Sequence, residues 1–361
     1  MSGKYRVPSM REIEQIEWNG FNVVSTFSGG GGSCLGYRMA GYHVLWANEF
    51  VEEARNTYKA NHPDSYLEAK DIRTVTPEEI LDRIGMEPGE LDLFDGSPPC
   101  SAFSMSGSRE KGWGKQKAYS DTVQRVDDLF YEYIRLLNGL QPKCFIAENV
   151  SGLVRGTAKG YFNEIIREMR KCGYTVKAAL ISAMWLGVPQ NRQRLIFIGV
   201  RNDLKMQPVF PKPQKHFYTL GDAIGDIKND PEEVKRLIEA TRGKRWGDVL
   251  RMIPKDPGRP ISGQDVTGNS YFNLIRASMQ APCPTICQSQ GMDWEAGTCH
   301  PLEDRKFTIE ELKRITSIPD DFVLTGSYEE QWERLGRMVP PIMMKRISET
   351  VAKEILCKIP S

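Results

Sequence analysis

The chain has 361 residues, with 48 Lys and Arg against 47 Asp and Glu, 8 Cys and 4 His. At 40% hydrophobic and 26% charged residues, it has the balance of a globular protein of one large domain or two modest ones, which excludes a disordered or fibrous chain. Apolar runs such as residues 195–200 fall far short of the ~20 residues that a membrane span needs, and the charged residues 1–18 form no signal peptide. A cytoplasmic protein without membrane contact is expected.

From residue 21 onward, short apolar runs alternate with helical patterns. Residues 21–27 read as a strand, followed by Ser28-Gly29-Gly30-Gly31-Gly32 and a helix to residue 40. A strand at 44–48, a helix at 52–61 and a strand at 91–94 come next, then a helix at 127–137, a strand at 144–147, a helix at 161–171 stopped by Gly173, and a strand at 195–200. This alternation predicts an α/β domain, a mainly parallel sheet covered by helices on both faces. After Arg201 the pattern breaks. Residues 202–273 are rich in Pro, Gly and charge, with one clear helix at 231–241, and read as an inserted lobe. The capping-box signal Thr308-Ile309-Glu310-Glu311 opens a helix to residue 316, and a final helix spans 342–356. The expected divisions are an N-terminal extension (1–20), an α/β domain (21–201), a smaller lobe (202–273) and a return segment that completes the α/β domain (274–361).

The net charge of +1 hides two basic stretches. One holds Arg109, Lys111, Lys115, Lys117 and Arg125 beside Trp113; the other holds Arg242, Lys244, Arg245, Arg251, Lys255 and Arg259 around Trp246. Basic loops carrying Gly and aromatics suit a polyanion, although solvated loops have the same composition. The cysteines form no disulfide framework. Cys283, Cys287, Cys299 and His300 cluster in sequence but lack a Cys-x-x-Cys spacing, so no metal site is expected.

The chemistry-bearing residues follow strand ends. The Gly29 to Gly32 turn lies between a strand and a helix, where backbone N–H groups meet a ligand closely. Glu49 follows the second strand at a spacing that suits ribose hydroxyls, and Asp71 is placed to bind an adenine amino group. These features alone leave NAD and S-adenosylmethionine both open. Ser97-Pro98-Pro99-Cys100 puts a stiffened turn and a nucleophilic thiol at a strand end. Glu148, in Glu148-Asn149-Val150, can act as an acid if burial raises its pKa. In Gln190-Asn191-Arg192-Gln193-Arg194, the two arginines point the same way if the chain is extended there.

Taken in order, these motifs closely resemble the cytosine-C5 DNA methyltransferase family: Phe27-x-Gly29-x-Gly31-Gly32, Glu49, Asp71-Ile72, Pro98-Pro99-Cys100, Glu148-Asn149-Val150, Gln190-x-Arg192-x-Arg194, Arg305-x-x-Thr308-x-x-Glu311 and Pro319-Asp320-Asp321-Phe322. The resemblance runs from residue 21 to the C-terminus and implies a Rossmann-like methyltransferase sheet with a target-recognition lobe at 202–273. It implies transfer of a methyl group from S-adenosylmethionine to a flipped-out cytosine in double-stranded DNA, with Cys100, Glu148, Arg192 and Arg194 catalytic. Phe27, Gly29, Gly31, Gly32, Glu49, Phe50, Asp71, Ile72, Pro98, Leu129, Arg337 and Met338 would hold the cofactor. Ser101, Arg109, Lys244, Arg245 and Arg251 would meet DNA, and the loop at 101–125 would close over the base. A monomer of bacterial or phage origin is expected, with a cognate restriction endonuclease as a possible partner.

Rival readings are tRNA as the substrate, a catalytically silent DNA-binding regulator, which would have lost Cys100 or Glu148, and a nicotinamide oxidoreductase, which leaves Pro-Pro-Cys unexplained. One departure bears on the donor. The family's late Gly-Asn-x-Val-Pro is here Gly336-Arg337-Met338-Val339-Pro340. A guanidinium ~5 Å from a sulfonium would cost ~3 kcal/mol at an effective dielectric of ~20. Carboxy-S-adenosylmethionine, whose carboxylate an arginine could clamp, would relieve that cost, and a carboxymethyl transfer is therefore the alternative.

Overall fold

The computed structural model describes residues 4–99, 117–119, 122–124, 129–154, 158–268 and 270–359. Seven strands form one sheet: β1 Asn22–Thr26, β2 His43–Asn48, β3 Tyr66–Glu68, β4 Leu93–Gly96, β5 Cys144–Val150, β6 Tyr174–Ser182 and β7 Gln193–Arg201, in the order β3-β2-β1-β4-β5-β7-β6. β2 pairs in parallel with β1 and β3, and β4 pairs in parallel with β1 and β5, while β7 runs antiparallel to β5. The central strands read as continuous apolar runs because both faces are covered: Val23, Val24, Leu93, Phe94, Phe145, Ile146 and Phe197 are all fully buried. Helices α1 Gly32–Met39, α2 Glu52–Asn61, α3 Pro77–Ile84, α4 Leu129–Leu140 and α5 Ala158–Lys171 connect the strands. Tyr133 of α4 stacks on Phe94 at 4.6 Å between ring centroids and meets Phe130 and Phe145 edge-on, which fixes α4 against the centre of the sheet.

The chain divides into two compact units. A sheet unit comprises residues 13–181, 193–212 and 344–361, and a lobe comprises 1–12, 182–192 and 213–343. These divisions correct the expected ones. Residues 274–343 belong to the lobe, not to a segment completing the sheet domain, because their backbone pairs there. The strand β8 (Ile261–Ser262) pairs with β9 (Ile275–Arg276), which pairs in turn with β10 (Thr298–Cys299). Cys283 and Pro284 likewise pair with Gln190 and Asn191.

The lobe is also more helical than its composition suggested. Its helices include α6 (Pro231–Thr241), α7 (Arg245–Met252), α8 (Ile309–Ile315) and α9 (Tyr328–Arg337). A tenth helix, α10 (Pro341–Glu354), begins in the lobe and ends in the sheet unit. Among the described residues no helix is long and apolar enough to cross a membrane.

Candidate active site

The turn after β1 is built on left-handed backbone. Phe27, Gly29 and Gly31 have φ of 54°, 55° and 91°, so three of five successive residues leave the regular regions, and the N–H groups of Ser28 and Gly31 are satisfied by Asn48 O and Ser28 O. Gly31 tolerates no side chain: a Cβ there would lie 2.2 Å from Nε2 of His62. Burial and the Arg38 guanidinium push His62 down to about 3, which keeps this ring neutral behind the turn. Gly29, in contrast, has open space where a Cβ would project, and its N–H donates to Glu49 Oε2 at 2.8 Å. Glu49 Oε1 accepts from the Val51 N–H at 2.8 Å, so the carboxylate is held rigidly beside the turn. Phe50 is half-buried and follows it, with its carbonyl bonded to Arg55. Asp71 caps a short turn by accepting from the Arg73 N–H at 3.0 Å and pairs with the Arg73 guanidinium at 3.1 Å. Ile72 and Leu129 are buried in the apolar core. An open glycine turn flanked by two fixed carboxylates fits the hydroxyl and amino groups of a nucleoside.

The second part of the site lies where β4, β5 and β7 end. Asp95 is in register with Ser25 of β1 and with Ile146 of β5. Because alternate residues share a face, Glu148 joins that face, and its register partner Ile196 brings Arg194 onto it as well. Ser25, Asp95, Glu148 and Arg194 thus form a polar row across one face of an otherwise apolar sheet. Arg194 Nε lies 2.6 Å from Glu148 Oε1, and both side chains are largely buried. Asn149 Nδ2 donates to the carbonyl of the buried Pro98 at 3.0 Å, which pins the turn leading toward Cys100. Cys100, Ser101 and Arg109, with most of the 101–125 loop, lie outside the described residues.

Arg192 departs from its expected place. Its N–H donates to Gln190 O, a tight turn that interrupts the strand, so Arg192 and Arg194 are not neighbours on one extended face. The Arg192 guanidinium is 1% exposed and donates to Ile286 O at 3.0 Å and Gly336 O at 2.7 Å, tying lobe segments together. Arg337 is the last residue of α9, not part of a loop, and its Nη2 lies 2.5 Å from Glu333 Oε1. The counter-charge that its guanidinium requires is therefore supplied from its own helix. Met338 is buried as the C-cap of α9.

Arg245 and Arg251 are exposed on α7 and Lys244 is half-buried at its N-cap. Arg251 pairs with Asp248. The Arg305-x-x-Thr308-x-x-Glu311 motif is a buried clamp: Arg305 grips both oxygens of Glu311 at 2.8 Å, and Glu311 closes a capping box with Thr308. Cys283 and Cys299 are fully buried packing residues.

The sequence reading did not single out Asp95, Ser25, Tyr37 or Asn149. The available signal was a carboxylate at the end of an apolar run, immediately before the Gly-Ser-Pro-Pro-Cys turn.

A mainly parallel sheet with a glycine turn at one strand end and a buried Glu–Arg pair near another is an arrangement suited to a group-transferring α/β enzyme. Residues 21–353 match the family described as C-5 cytosine-specific DNA methylase, and the chain belongs to that family. It is a DNA (cytosine-5-)-methyltransferase, and its family uses S-adenosylmethionine. The chain is 30% identical to the type II methyltransferase M1.HphI of Haemophilus parahaemolyticus, over 91% of this chain and 86% of that protein. It is also 30% identical to M.Sau96I of Staphylococcus aureus, over 96% and 79%. Its fold is similar to that of a DNA modification methyltransferase encoded within an Escherichia coli prophage (TM-score 0.70, 22% identity, covering 93% of this chain and 100% of that one). It is also similar to DNMT2 of Spodoptera frugiperda (TM-score 0.65, 18% identity, covering 93% and 100%).

Proposed function

We propose that this enzyme methylates carbon 5 of cytosine in a fixed duplex DNA sequence, through a covalent adduct on Cys100. Its relatives are named type II methyltransferases, and a cognate restriction endonuclease would be its natural counterpart. The reading rests most on one observation: Asn149 holds the carbonyl of Pro98, so the turn leading to Cys100 is anchored to the strand carrying Glu148. The 27–32 turn, Glu49 and Asp71 would hold S-adenosylmethionine, whose bound sulfonium supplies an electrophilic methyl group.

Carbon 5 of cytosine is a weak nucleophile within an aromatic ring. Attack of the Cys100 thiolate on carbon 6 breaks that aromaticity and makes carbon 5 an enamine carbon. Glu148, entering as the protonated acid, gives its carboxyl hydrogen to ring N3 as negative charge develops there, and the carboxylate left behind is stabilised by the Arg194 guanidinium. Arg194 orients Glu148 through their ion pair and offers its remaining N–H groups to the base carbonyl oxygen. After alkylation a water molecule acting as base takes the proton from carbon 5, the carbon 5–carbon 6 double bond re-forms, Cys100 is expelled as its thiolate, and N3 returns its proton to Glu148. A stacked base cannot admit this attack, so the cytosine is flipped out. Arg192 supports the lobe framework and takes no direct part. The pairing of Arg337 with Glu333 supports S-adenosylmethionine over a carboxylated donor.

Cys100→Ala abolishes methyl transfer while duplex binding is retained, and duplex carrying 5-fluorocytosine traps the wild-type enzyme covalently, since fluorine cannot leave as a proton does. Turnover in Cys100→Ala, or transfer to tRNA in preference to duplex DNA, would refute the reading.

A further inference from the structure

Asp95 sits at the midpoint of the polar row and is 1% exposed. Its Oδ2 accepts from Ser25 Oγ at 2.8 Å and its Oδ1 accepts from Tyr37 OH at 2.8 Å. Ser25 in turn meets Ser28 of the glycine turn: Ser28 Oγ lies 3.1 Å from Ser25 Oγ and donates to Ser25 O at 3.2 Å. Tyr37 belongs to α1, the helix that the turn opens. A single carboxylate therefore grips both the entrance and the exit of the 27–32 turn. Asp95 is also five residues before Cys100 on the same chain.

We propose that Asp95 is a positioning residue for the methyl donor, holding the 27–32 turn in its binding shape through Ser25, Ser28 and Tyr37. The proposal rests on the reading of that turn as the donor site. In the ionised form, both Asp95 oxygens accept from hydroxyl donors and all three groups are satisfied. Protonation gives Asp95 a hydrogen that must itself be donated. Ser25 or Tyr37 then has to reverse its hydrogen and accept, and the Ser25–Ser28 bonds under the turn have to rearrange. Asn at this position imitates the protonated acid, with one acceptor and one donor side.

The titratable groups facing Asp95 are Cys34 and Tyr37 from α1, Tyr133 from α4 and Glu148 from β5, with the Ser25 hydroxyl from β1; the one cation of the row, Arg194 on β7, is paired to Glu148. Burial, with Glu148 adding to it, raises Asp95 to about 7 against the opposing hydroxyl bonds. The ionised, turn-holding form is thus favoured above neutrality and lost as pH falls through it. Donor affinity should weaken in the same direction.

The test is isothermal titration of the full-length protein with S-adenosylmethionine between pH 6 and pH 8, with thermal melting of each donor-free variant as the folding control. Wild type should bind up to about tenfold more weakly at pH 6, the limit for one proton titrating near 7. The donor's own amino group titrates near ~8 and is common to all variants, so the reading is the difference in pH slope between proteins. Asp95→Asn should bind weakly at both pH values and lose the additional slope. Ser25→Ala should do the same, and carries the test if Asp95→Asn fails to fold. Equal slopes in wild type and both variants, or wild-type affinity in both at pH 8, would overturn the role of Asp95. Gly31→Ala, which drives a Cβ into His62, should lose donor binding at every pH. Binding by Gly31→Ala at wild-type strength would instead remove the turn as donor site, and this proposal with it.

Discussion

The two arginines that sequence spacing placed in the chemistry show why residue identity alone does not assign a role. Arg192 and Arg194 are two positions apart, yet one is consumed by backbone carbonyls of the lobe and the other by Glu148. The difference comes from the turn at Arg192, and no side-chain pattern announces it. Arg337 teaches the same point in electrostatic terms. Read in isolation, its charge kept an anionic donor open as an alternative; in the folded chain Glu333, four residues earlier on the same helix, supplies a carboxylate partner. Such a pair at this partial exposure contributes only ~0.3–0.5 kcal/mol to stability, but it fixes where the guanidinium points. Arg337→Asn should therefore leave the transferred group unchanged. Nucleoside mass spectrometry of DNA modified in cells should show 5-methylcytosine alone for wild type and variant, with both donors supplied. Any 5-carboxymethylcytosine from wild type that Arg337→Asn removes would restore the carboxylated donor.

At the scale of elements, what was legible was whatever a local pattern encodes. The strands β1, β4, β5 and β7 announced themselves because burial on both faces requires unbroken apolar runs. The helix α8 did so because Thr308 and Glu311 form a reciprocal cap. The strand β6 escaped because it is the last in the sheet order and seven of its nine residues remain partly or fully exposed, as with Lys177 and Leu180. The pieces β8, β9 and β10 are two residues each, too short for any periodicity to register. What holds them is ionic and carbonyl capture. Arg276 is fully buried and bonds Leu250 O, His300 O and Asp304, while Arg305 and Glu311 form a bidentate pair joined by Asn229. Removing one partner of a buried pair strands the other charge, at a cost of ~3–5 kcal/mol. Arg305→Ala should accordingly lower the urea midpoint and weaken DNA affinity. Donor affinity, if set by the 27–32 turn of the sheet unit as proposed, should change much less. Equal losses of DNA and donor binding would show that the clamp does not act on the lobe separately.

For the molecule as a whole, the division into units follows backbone pairing and not composition. The change to Pro, Gly and charge after Arg201 lies near one of the unit boundaries, at residue 213, but composition returns to ordinary well before residue 343, where the lobe ends. The lobe continues to residue 343 because β9 and β10 complete its small sheet and because Arg276 and Arg305 draw the segment around 300–311 into its core. The consequence for specificity is concrete. If the lobe chooses the methylated sequence, exchange with a relative must respect its folding boundaries. A chimera replacing residues 202–273 alone would part β8 from β9 and Leu250 from Arg276, leaving a fully buried guanidinium without its carbonyl and apolar edges without cover. It should express poorly and melt early. Exchange of residues 213–343 together with 182–192 keeps these pairs and those of Gln190, Asn191 and Arg192 together, and leaves the sheet unit with its turn, Glu49, Cys100, Glu148 and Arg194 intact. That chimera should fold, bind S-adenosylmethionine as the wild type does, and carry 5-methylcytosine into the relative's site. Bisulfite sequencing of plasmids from cells expressing each protein reads the outcome directly. A folded chimera of both segments that still methylates the original sequence would place target choice in the sheet unit.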